Sequence, residues 1–238
     1  MPLIVKICGL KTPEALDVAL ESGADMVGFV FFAPSPRNLD YAAALDLGSR
    51  VKGRAGKVAL TVDADDATLG DIVAALKPDL LQLHGEETPE RVAYVKRKIG
   101  LPIIKALPIE KKGDFDRLKD YAFGPDWQRV NSDPRKHNWI LFDAKAPSDA
   151  TRPGGLGRPF DWTLIRGALP SVPVILSGGL TAKNVGEALA VTLVPAVDVS
   201  SGVESAPGVK DPAMIREFIQ VARAAHMSAT TRRYRVSQ

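Results

Sequence analysis

Short apolar runs alternate along the chain with longer amphipathic segments, in a unit that recurs every roughly 25 to 30 residues. The runs are rich in Val, Ile and Leu and stop abruptly at polar or glycine positions, which predicts buried β-strands. The eight predicted strands centre on Val5, Val27, Ala59, Leu83, Ile104, Leu141, Ile175 and Val197. The amphipathic segments predict helices over residues 13–22, 42–51, 67–76, 89–99, 181–189 and 212–225. Several of these helices begin with a capping residue followed by proline, as in Thr12-Pro13 and Thr88-Pro89.

This alternation of strands and helices indicates a parallel sheet that is covered by helices. Eight such units in 238 residues fit a closed, single-domain (β/α)8 TIM barrel with a parallel eight-stranded inner barrel, which we expect over residues 1–225. An open doubly wound sheet is the alternative, but Gly9 stands alone after the first strand, where a dinucleotide-binding sheet has a cluster of glycines. The polar segment 124–138 precedes the sixth strand, so we expect a surface insertion at the bottom of the barrel.

Composition adds the expectation of a globular, cytoplasmic protein. Hydrophobic residues make up 45% and charged residues 25% of the chain, which allows a large core. Cys8 is the one cysteine, which excludes an internal disulfide and a multi-cysteine metal site and suits a reducing compartment. No signal-peptide pattern opens the chain, and no apolar stretch approaches the roughly 18 residues of a membrane span. We therefore expect no contact with a membrane.

The formal net charge of +3 does not by itself indicate a nucleic-acid partner, because basic and acidic residues are interleaved along most of the chain. The exception is the group Arg232, Arg233 and Arg235 near the C-terminus. We interpret residues 226–238 as a basic, disordered tail and expect no nucleic acid partner. A tail that binds nucleic acid is the alternative, and it predicts binding that weakens with salt.

The ends of the predicted strands carry the candidate chemistry, because the active sites of such barrels lie at the C-terminal mouth. Strands one, four, six and eight end at Cys8, His84, Asp143 and Asp198. Since side chains alternate along a strand, Lys6 lies on the same side as Cys8 and one layer below it. A cation there would favour the thiolate and make Cys8 a usable base or nucleophile. The residue pattern leaves open that Cys8 is only a small buried hydrophobic residue.

The loops after strands seven and eight predict a phosphate site. Barrels of this class commonly bind phosphate there, where glycines let backbone N–H groups approach an anion. The sequence reads Ser177-Gly178-Gly179 in the first loop and Ser200-Ser201-Gly202 in the second. We therefore predict that Gly178, Gly179, Ser200, Ser201 and Gly202 bind phosphate.

A set of motifs in the same order and spacing resembles the phosphoribosylanthranilate isomerase family of tryptophan biosynthesis. The resemblance runs from Val5 to about Ala225, nearly the whole chain. The motifs are KICGL, GADMVGFVF, SPRNL, LQLHGEE, LFDAKAP, PGGLG followed by FDW, LSGGL and VDVSSGVES.

The resemblance implies a (β/α)8 barrel that acts on the small molecule N-(5-phosphoribosyl)anthranilate. The implied reaction is an Amadori rearrangement to 1-(2-carboxyphenylamino)-1-deoxyribulose 5-phosphate, without a cofactor or metal. By the same resemblance Asp143 is the general acid and Cys8 the general base. The acid must hold its proton near neutral pH, which an apolar strand end and a nearby anionic substrate favour.

A further site residue follows from the same resemblance. Arg37, in the loop after the second strand, is expected to contact the anthranilate carboxylate, since a guanidinium can grip a carboxylate.

His84 and Asp198 are predicted substrate-binding residues because they end strands four and eight at the mouth. His84 is expected to support the site as a hydrogen-bonding neighbour, and a barrel histidine with no part in binding is the alternative. Asp198 is expected to orient the intermediate or its hydroxyl groups.

The long loop after the sixth strand contains Gly154, Gly155 and Gly157, which suit a mobile cover beside Asp143. Gly155 is expected to contact the substrate. The chain has Leu156 where the family more often has a small hydroxyl residue, so a side-chain hydrogen bond is not expected at that position.

Two other functions remain open on the sequence. The related histidine-pathway isomerase performs the same chemistry on another phosphoribosyl amine, but it is expected to use two aspartates, and Cys8 disfavours it. A catalytically silent phosphosugar-binding barrel is the second, and the presence of both Cys8 and Asp143 argues against it. A monomer and a homodimer are both compatible with the sequence.

Overall fold

A computed structural model describes residues 2–121, 133–147, 149–150, 153–155, 157, 159–165 and 172–236. Within these residues, eight parallel strands pair in chain order, and the last pairs with the first to close a barrel. This arrangement confirms the predicted fold class. The strands are β1 (Ile4–Cys8), β2 (Met26–Phe31), β3 (Gly56–Thr61), β4 (Leu80–Leu83), β5 (Ile103–Ile109), β6 (Trp139–Ala144), β7 (Val174–Leu176) and β8 (Ala196–Val199).

Helices cover the outside of the barrel and begin where the sequence provides caps. The Thr12 and Thr88 hydroxyls accept the backbone N–H groups of Ala15 and Arg91, and proline follows each threonine. The α-helices are α1 (Pro13–Glu21), α2 (Tyr41–Val51), α3 (Asp66–Leu76), α4 (Pro89–Ile99), α5 (Leu118–Tyr121), α6 (Val185–Thr192) and α7 (Pro212–Val236). Short 3-10 turns lie at Lys112–Arg117, Pro134–Lys136, Trp162–Ile165 and Ser201–Val203, and a small hairpin joins β9 (Glu204–Ala206) to β10 (Val209–Lys210). No described helix is long and apolar enough to cross a bilayer.

Two helices differ from the sequence-based expectation. Helix α6 begins at Val185 rather than at residue 181, because the Asn184 side chain accepts the Thr181 N–H and holds the preceding turn outside the helix. Helix α7 continues to Val236, beyond the expected end at residue 225. Residues 221–229 are rich in alanine and contain no glycine or proline, which favours continuation of the helix.

Apolar side chains inside the barrel fill its lower layers. Alternate residues of the strands point inward and form one cluster, and the outward residues pack against the helices. The inner cluster comprises Ile4, Met26, Val58, Leu80, Ile104, Ala106, Trp139, Leu141, Ile175 and Ala196. Because this packing closes the bottom, the inward polar residues lie towards the C-terminal mouth.

The described part of the predicted insertion lies at the bottom, as expected. Trp139 at the start of β6 donates its indole N–H to Pro134 O, and Arg135 packs against Gly56 at the start of β3. A purely surface location is wrong for the end of the segment, since His137 and Asn138 are buried. The Asn138 side chain explains this burial, because it accepts the Ile103 N–H at the start of β5. Residues 124–132 lie outside the described residues.

A buried ion pair ties β5 to the loop that follows β4. Lys105 Nζ donates to Glu87 Oε2 and to Gly85 O, at 2.7 Å each. The two side chains are 1% and 4% exposed, and the Glu87 carboxylate also accepts the N–H groups of Asp63 and Gly85. The pair therefore fixes the backbone next to His84 at the mouth.

Removal of one charge of this pair should destabilise the fold strongly. Lys105→Met leaves the Glu87 carboxylate buried without its cation, and we expect the free energy of unfolding to fall by about 3 kcal/mol. Urea unfolding measures the loss. The control is Lys98→Met, which removes an exposed cation beside Asp66 and should cost far less, because water screens an exposed ion pair. Equal losses in the two variants would contradict this account of the buried pair.

Candidate active site

The C-terminal mouth brings the predicted site residues together around two adjoining cavities of the described structure. One, here called the glycine-rich cavity, is lined by the loops after β7 and β8. The other, here called the apolar cavity, is lined by Val30, Phe32, Leu60 and Val62 together with polar residues from β1, β2 and β4. The sequence-predicted residues Cys8, Arg37 and His84 line the apolar cavity, and Gly178, Gly179, Ser201 and Gly202 line the glycine-rich cavity. Asp143, Gly155, Asp198 and Ser200 line both.

Cys8 ends β1 with its thiol in a closely packed space. The parallel register places Gly28 beside it, and a Cβ at Gly28 would lie 2.8 Å from the Cys8 Sγ and 3.2 Å from the Lys6 Nζ. Glycine at this position thus leaves room for the thiol and the ammonium next to each other. Lys6 is fully buried and donates to Asp198 Oδ1 at 2.7 Å.

The charge environment of Cys8 differs from the expectation that Lys6 alone would favour the thiolate. Burial raises the pKa of the Cys8 thiol, and this effect outweighs the opposing effect of the Lys6 charge. Burial also disfavours the charged form of Lys6, but Asp198 and Cys8 outweigh that effect and keep its pKa above the ordinary value. The thiol is therefore mostly protonated at neutral pH, with a permanent cation beside it to receive its charge when it ionises.

Asp143, at the end of β6, is held by a chain of polar side chains. The His84 Nε2 lies 3.1 Å from Asp143 Oδ2, and the His84 Nδ1 lies 2.9 Å from the Gln82 Nε2. The imidazole thus bridges the Gln82 side-chain amide and the Asp143 carboxyl group, and the tautomer of the ring sets which of its nitrogens donates. The other oxygen of Asp143 accepts the Ala144 N–H. Gln82 supports the site, and its position on the same side of β4 as His84 is the sequence pattern that indicates it.

Two glycines bring backbone directly over Asp143. A Cβ at Gly154 would lie 2.5 Å from Asp143 Oδ2 and 2.7 Å from His84 Nε2. A Cβ at Gly178 would lie 3.1 Å from Asp143 Oδ1 and 2.5 Å from the Ala144 nitrogen. Only glycine permits both approaches, because a Cβ at either position would collide with the carboxyl group or its neighbours. The loops after β6 and β7 therefore pack their backbone directly against Asp143. Leu156, in the same loop as Gly154, lies outside the described residues.

Both carboxylate oxygens of Asp198 accept hydrogen bonds from neighbouring side chains. Lys6 donates to Oδ1, and the Ser177 hydroxyl donates to Oδ2 at 3.1 Å. The carboxylate therefore links β1, β7 and β8 below the two cavities. It borders the space available to a substrate and is held in one orientation.

Arg37 is held by Glu204, which is bonded in turn to Lys210, and the sequence reasoning missed both residues. Its Nε and Nη2 donate to the two oxygens of Glu204 at 2.7 Å each, and Lys210 Nζ donates to Glu204 Oε1 at 2.6 Å. Burial opposes the charged Glu204, but the hydrogen bonds from Arg37 and the charge of Lys210 outweigh it and keep its pKa below the ordinary value. Burial lowers the pKa of Lys210 despite its contact with Glu204. The only sequence signal for Glu204 is its place near the end of the motif VDVSSGVES. This signal is weak, because Glu204 lies beyond the glycine loop to which we assigned phosphate binding.

The glycine-rich cavity presents backbone donors. Gly178 and Gly179 line this cavity and have positive φ angles of 84° and 65°, a conformation typical of anion-binding loops. Among the described residues no acceptor receives a hydrogen bond from these two N–H groups. A Cβ at Gly202 would overlap the carbonyl oxygen of Leu180, so the loops after β7 and β8 are packed edge to edge. The Ser200 hydroxyl donates to the Cys8 carbonyl oxygen at 3.1 Å, and phosphate binding by Ser200 stays a prediction.

The arrangement thus combines an anion cradle, a thiol and a carboxyl group around two adjoining cavities. In the described part of the chain no group of three or more His, Cys, Asp and Glu side chains is placed to hold a metal ion.

Comparison with known proteins identifies the family. The family model described as N-(5'phosphoribosyl)anthranilate (PRA) isomerase matches residues 5–221. The chain belongs to this family. The protein is accordingly an isomerase of tryptophan biosynthesis, which confirms the function indicated by the motifs.

Individual relatives agree over nearly the whole chain. The N-(5'-phosphoribosyl)anthranilate isomerase of Nitrobacter hamburgensis is 60% identical over 228 residues, which cover 96% of each chain. The crystal structure of phosphoribosyl anthranilate isomerase from Thermotoga maritima is 33% identical, with a TM-score of 0.79 over 93% of this chain and 99% of that one. A further crystal structure of such an isomerase, 31% identical with a TM-score of 0.76 over 93% of this chain and 99% of that one, is a complex with reduced 1-(o-carboxyphenylamino)-1-deoxyribulose 5-phosphate.

Proposed function

We propose that the chain converts N-(5'-phosphoribosyl)anthranilate to 1-(2-carboxyphenylamino)-1-deoxyribulose 5-phosphate with Asp143 as general acid and Cys8 as general base. The observation that carries this proposal is that the thiol and the carboxyl group, from β1 and β6, line the same cavity. Proton donation and proton removal at neighbouring substrate atoms need two such groups on one bound molecule.

The two cavities suit the two ends of this substrate. The free N–H groups of Gly178 and Gly179 would bind the phosphate, as backbone donors at such loops bind anions. The apolar cavity would hold the aromatic ring, with Arg37 at its edge for the carboxylate. The ribose then lies between them, next to Asp143 and Cys8.

The first step opens the ribose ring. Asp143 gives its proton to the ring oxygen, the bond from that oxygen to C1' breaks, and the nitrogen lone pair forms the C1'=N bond of a protonated Schiff base. The Asp143 carboxylate that results accepts the Nε2–H of His84. His84 and Gln82 therefore stabilise the group after it has lost its proton and hold it in position.

The second step removes the proton at C2'. The Cys8 thiolate takes this proton, the electron pair forms the C1'=C2' bond, and the Schiff base nitrogen becomes the neutral amine of an enolamine. Protonation at C1' and loss of the proton from the C2' hydroxyl then give the ketone. Lys6 lies beside the thiol and stabilises its charged form, while Asp198 holds Lys6 in place.

The titration of the base should be visible as a difference between two enzymes. Burial raises the pKa of Cys8, and the base must be deprotonated, so the thiolate fraction of the free enzyme grows as the pH rises from neutral towards that raised pKa. Asp143 must keep its proton to act as the acid, and loss of that proton lowers kcat/KM in the wild type and in Cys8→Ser alike. We therefore expect the ratio of kcat/KM for the wild type to kcat/KM for Cys8→Ser, whose hydroxyl does not titrate there, to rise over this range. A ratio that is flat or falls above neutral pH would contradict the assignment.

Steady-state loss of the fluorescence of phosphoribosylanthranilate tests the function directly. We expect turnover by the purified protein without added metal or cofactor. A protein that binds the reduced product analogue but does not turn over the substrate would be a silent phosphosugar-binding barrel. Turnover only of the phosphoribosyl amine of the histidine pathway would replace the proposed substrate.

We also propose that the protein works in the cytoplasm as a monomer or homodimer. The single thiol at the mouth must stay reduced to act as a base, which a reducing compartment supports. Sedimentation of the purified protein distinguishes the two oligomeric states.

A further inference from the structure

Arg37, Glu204 and Lys210 form a buried charge cluster at the edge of the apolar cavity. Glu204 receives three hydrogen bonds from the two cations and one from the Gly208 N–H at 3.1 Å. All three side chains are almost fully enclosed, with 5%, 3% and 2% of their surfaces exposed. Lys210 does not line either cavity, so it acts on a bound molecule through the cluster.

The backbone around Arg37 is built to hold the guanidinium in one place. A Cβ at Gly9 would lie 2.6 Å from the Arg37 Cδ, and a Cβ at Gly155 would lie 2.5 Å from its Nη1. Glu204 occupies the edge formed by Nε and Nη2, and Nη2 also contacts Gly155 O at 3.4 Å. Among the described residues no acceptor receives a hydrogen bond from Nη1, and Arg37 lines the apolar cavity. One end of the guanidinium is therefore left for a ligand that enters the apolar cavity.

The net charge of the cluster explains the role of Lys210. An arginine paired with one buried carboxylate is neutral as a pair, and the carboxylate repels a second carboxylate that approaches the same guanidinium. Lys210 adds the second cation, so the cluster keeps a net charge of +1 in a poorly solvated place. A ligand carboxylate at Nη1 would balance that charge.

We propose that Glu204 and Lys210 are specificity-determining residues: Glu204 orients Arg37, and Lys210 offsets the Glu204 charge so that the site selects substrates with a carboxylate on the aromatic ring. This inference rests on the proposed function, because it assumes that the aromatic ring lies in the apolar cavity. It concerns residues that do not touch the reacting atoms. Their effect should appear in the choice of ligand rather than in the proton transfers.

Two ligands that differ only in the carboxylate test the proposal. They are reduced 1-(2-carboxyphenylamino)-1-deoxyribulose 5-phosphate and its phenylamino counterpart without the carboxylate, titrated calorimetrically into wild type, Lys210→Met and Lys210→Arg. For Lys210→Met we expect the carboxylated ligand to bind roughly 10- to 50-fold more weakly, as loss of a nearby charge at intermediate dielectric implies, with little change for the other ligand. Lys210→Arg should restore most of the preference. The control Lys98→Met removes an exposed cation elsewhere and should leave both affinities unchanged.

A merely structural role for Lys210 predicts a different result. Lys210 also donates to Ser200 O at 2.9 Å, and a loop displaced by its loss would weaken both ligands equally. That outcome would overturn the proposal. The double variant Glu204→Gln/Lys210→Met provides a second test if Lys210→Met does not fold, because it restores a net charge of +1 through Arg37 alone. The glutamine amide oxygen can still accept a hydrogen bond from Arg37 and orient the guanidinium. The double variant should therefore still prefer the carboxylated ligand, and loss of the preference would overturn the proposal.

The same titrations separate this inference from the function on which it rests. If wild type turns over phosphoribosylanthranilate but Lys210→Met keeps its preference for the carboxylated ligand, the inference fails and the function stands. If wild type binds neither ligand and shows no turnover, the proposed function itself fails.

Discussion

Asp143→Asn should reduce kcat by about 10³-fold, the scale expected for loss of a general acid. The amide has nearly the shape of the carboxyl group and can still accept the His84 Nε2–H, but it cannot give a proton to the ring oxygen. The ring-opening step therefore loses its acid while the cavity keeps its form. Fluorescence turnover measures kcat, and titration with the reduced product analogue measures whether the site remains intact.

The control for this variant is Asp161→Asn in the same loop region after β6. Asp161 is exposed and accepts hydrogen bonds from Thr163, away from both cavities. We expect its kcat to match the wild type. An Asp143→Asn enzyme that keeps more than a tenth of the wild-type kcat would show that another group supplies the proton.

Cys8→Ala should lower kcat by roughly 10²- to 10⁴-fold because it removes the proposed base. The thiol packs against Gly28 and Lys6, so its removal opens a small space and should cost only about 1 kcal/mol of stability. Cys8→Ser keeps the shape more closely but puts a much weaker base at the same place. We expect both variants to be folded and to bind the reduced product analogue.

Thermal unfolding and analogue binding are the checks on the Cys8 variants. A Cys8→Ala enzyme with near wild-type turnover would show that Cys8 is only a small buried hydrophobic residue. A variant that is inactive only because it no longer binds the analogue would leave Cys8 as a packing residue and would contradict its assignment as the base.

The barrel could be predicted because its local signals agree with one another. Pro13 and Pro89 follow capping threonines, and both helices begin at those prolines. The bounds of the later helices were harder to predict, because they depend on single contacts and on whether the helical sequence continues. Asn184 delays the start of α6, and α7 has no breaker to end it where the apolar pattern fades.

The sequence could predict those site residues that lie at the ends of strands. The register brings Cys8 beside Gly28 and Lys6 beside Asp198, as alternation along parallel strands requires. The net effect on the thiol could not be predicted, since burial and a neighbouring cation act in opposite directions and only the packing decides which is larger. Arg37 and Glu204 lie 167 residues apart in sequence, so no local pattern could identify them as a pair.

The most direct measurement for the acid–base assignment is the isotope effect on kcat/KM with substrate deuterated at C2'. In Cys8→Ser a weak base makes removal of the C2' proton the slow step, so a large primary isotope effect is expected. In Asp143→Asn ring opening is slow and comes before that step, so the isotope effect should be close to unity. A large effect in Asp143→Asn with none in Cys8→Ser would reverse the two roles and contradict the proposed mechanism.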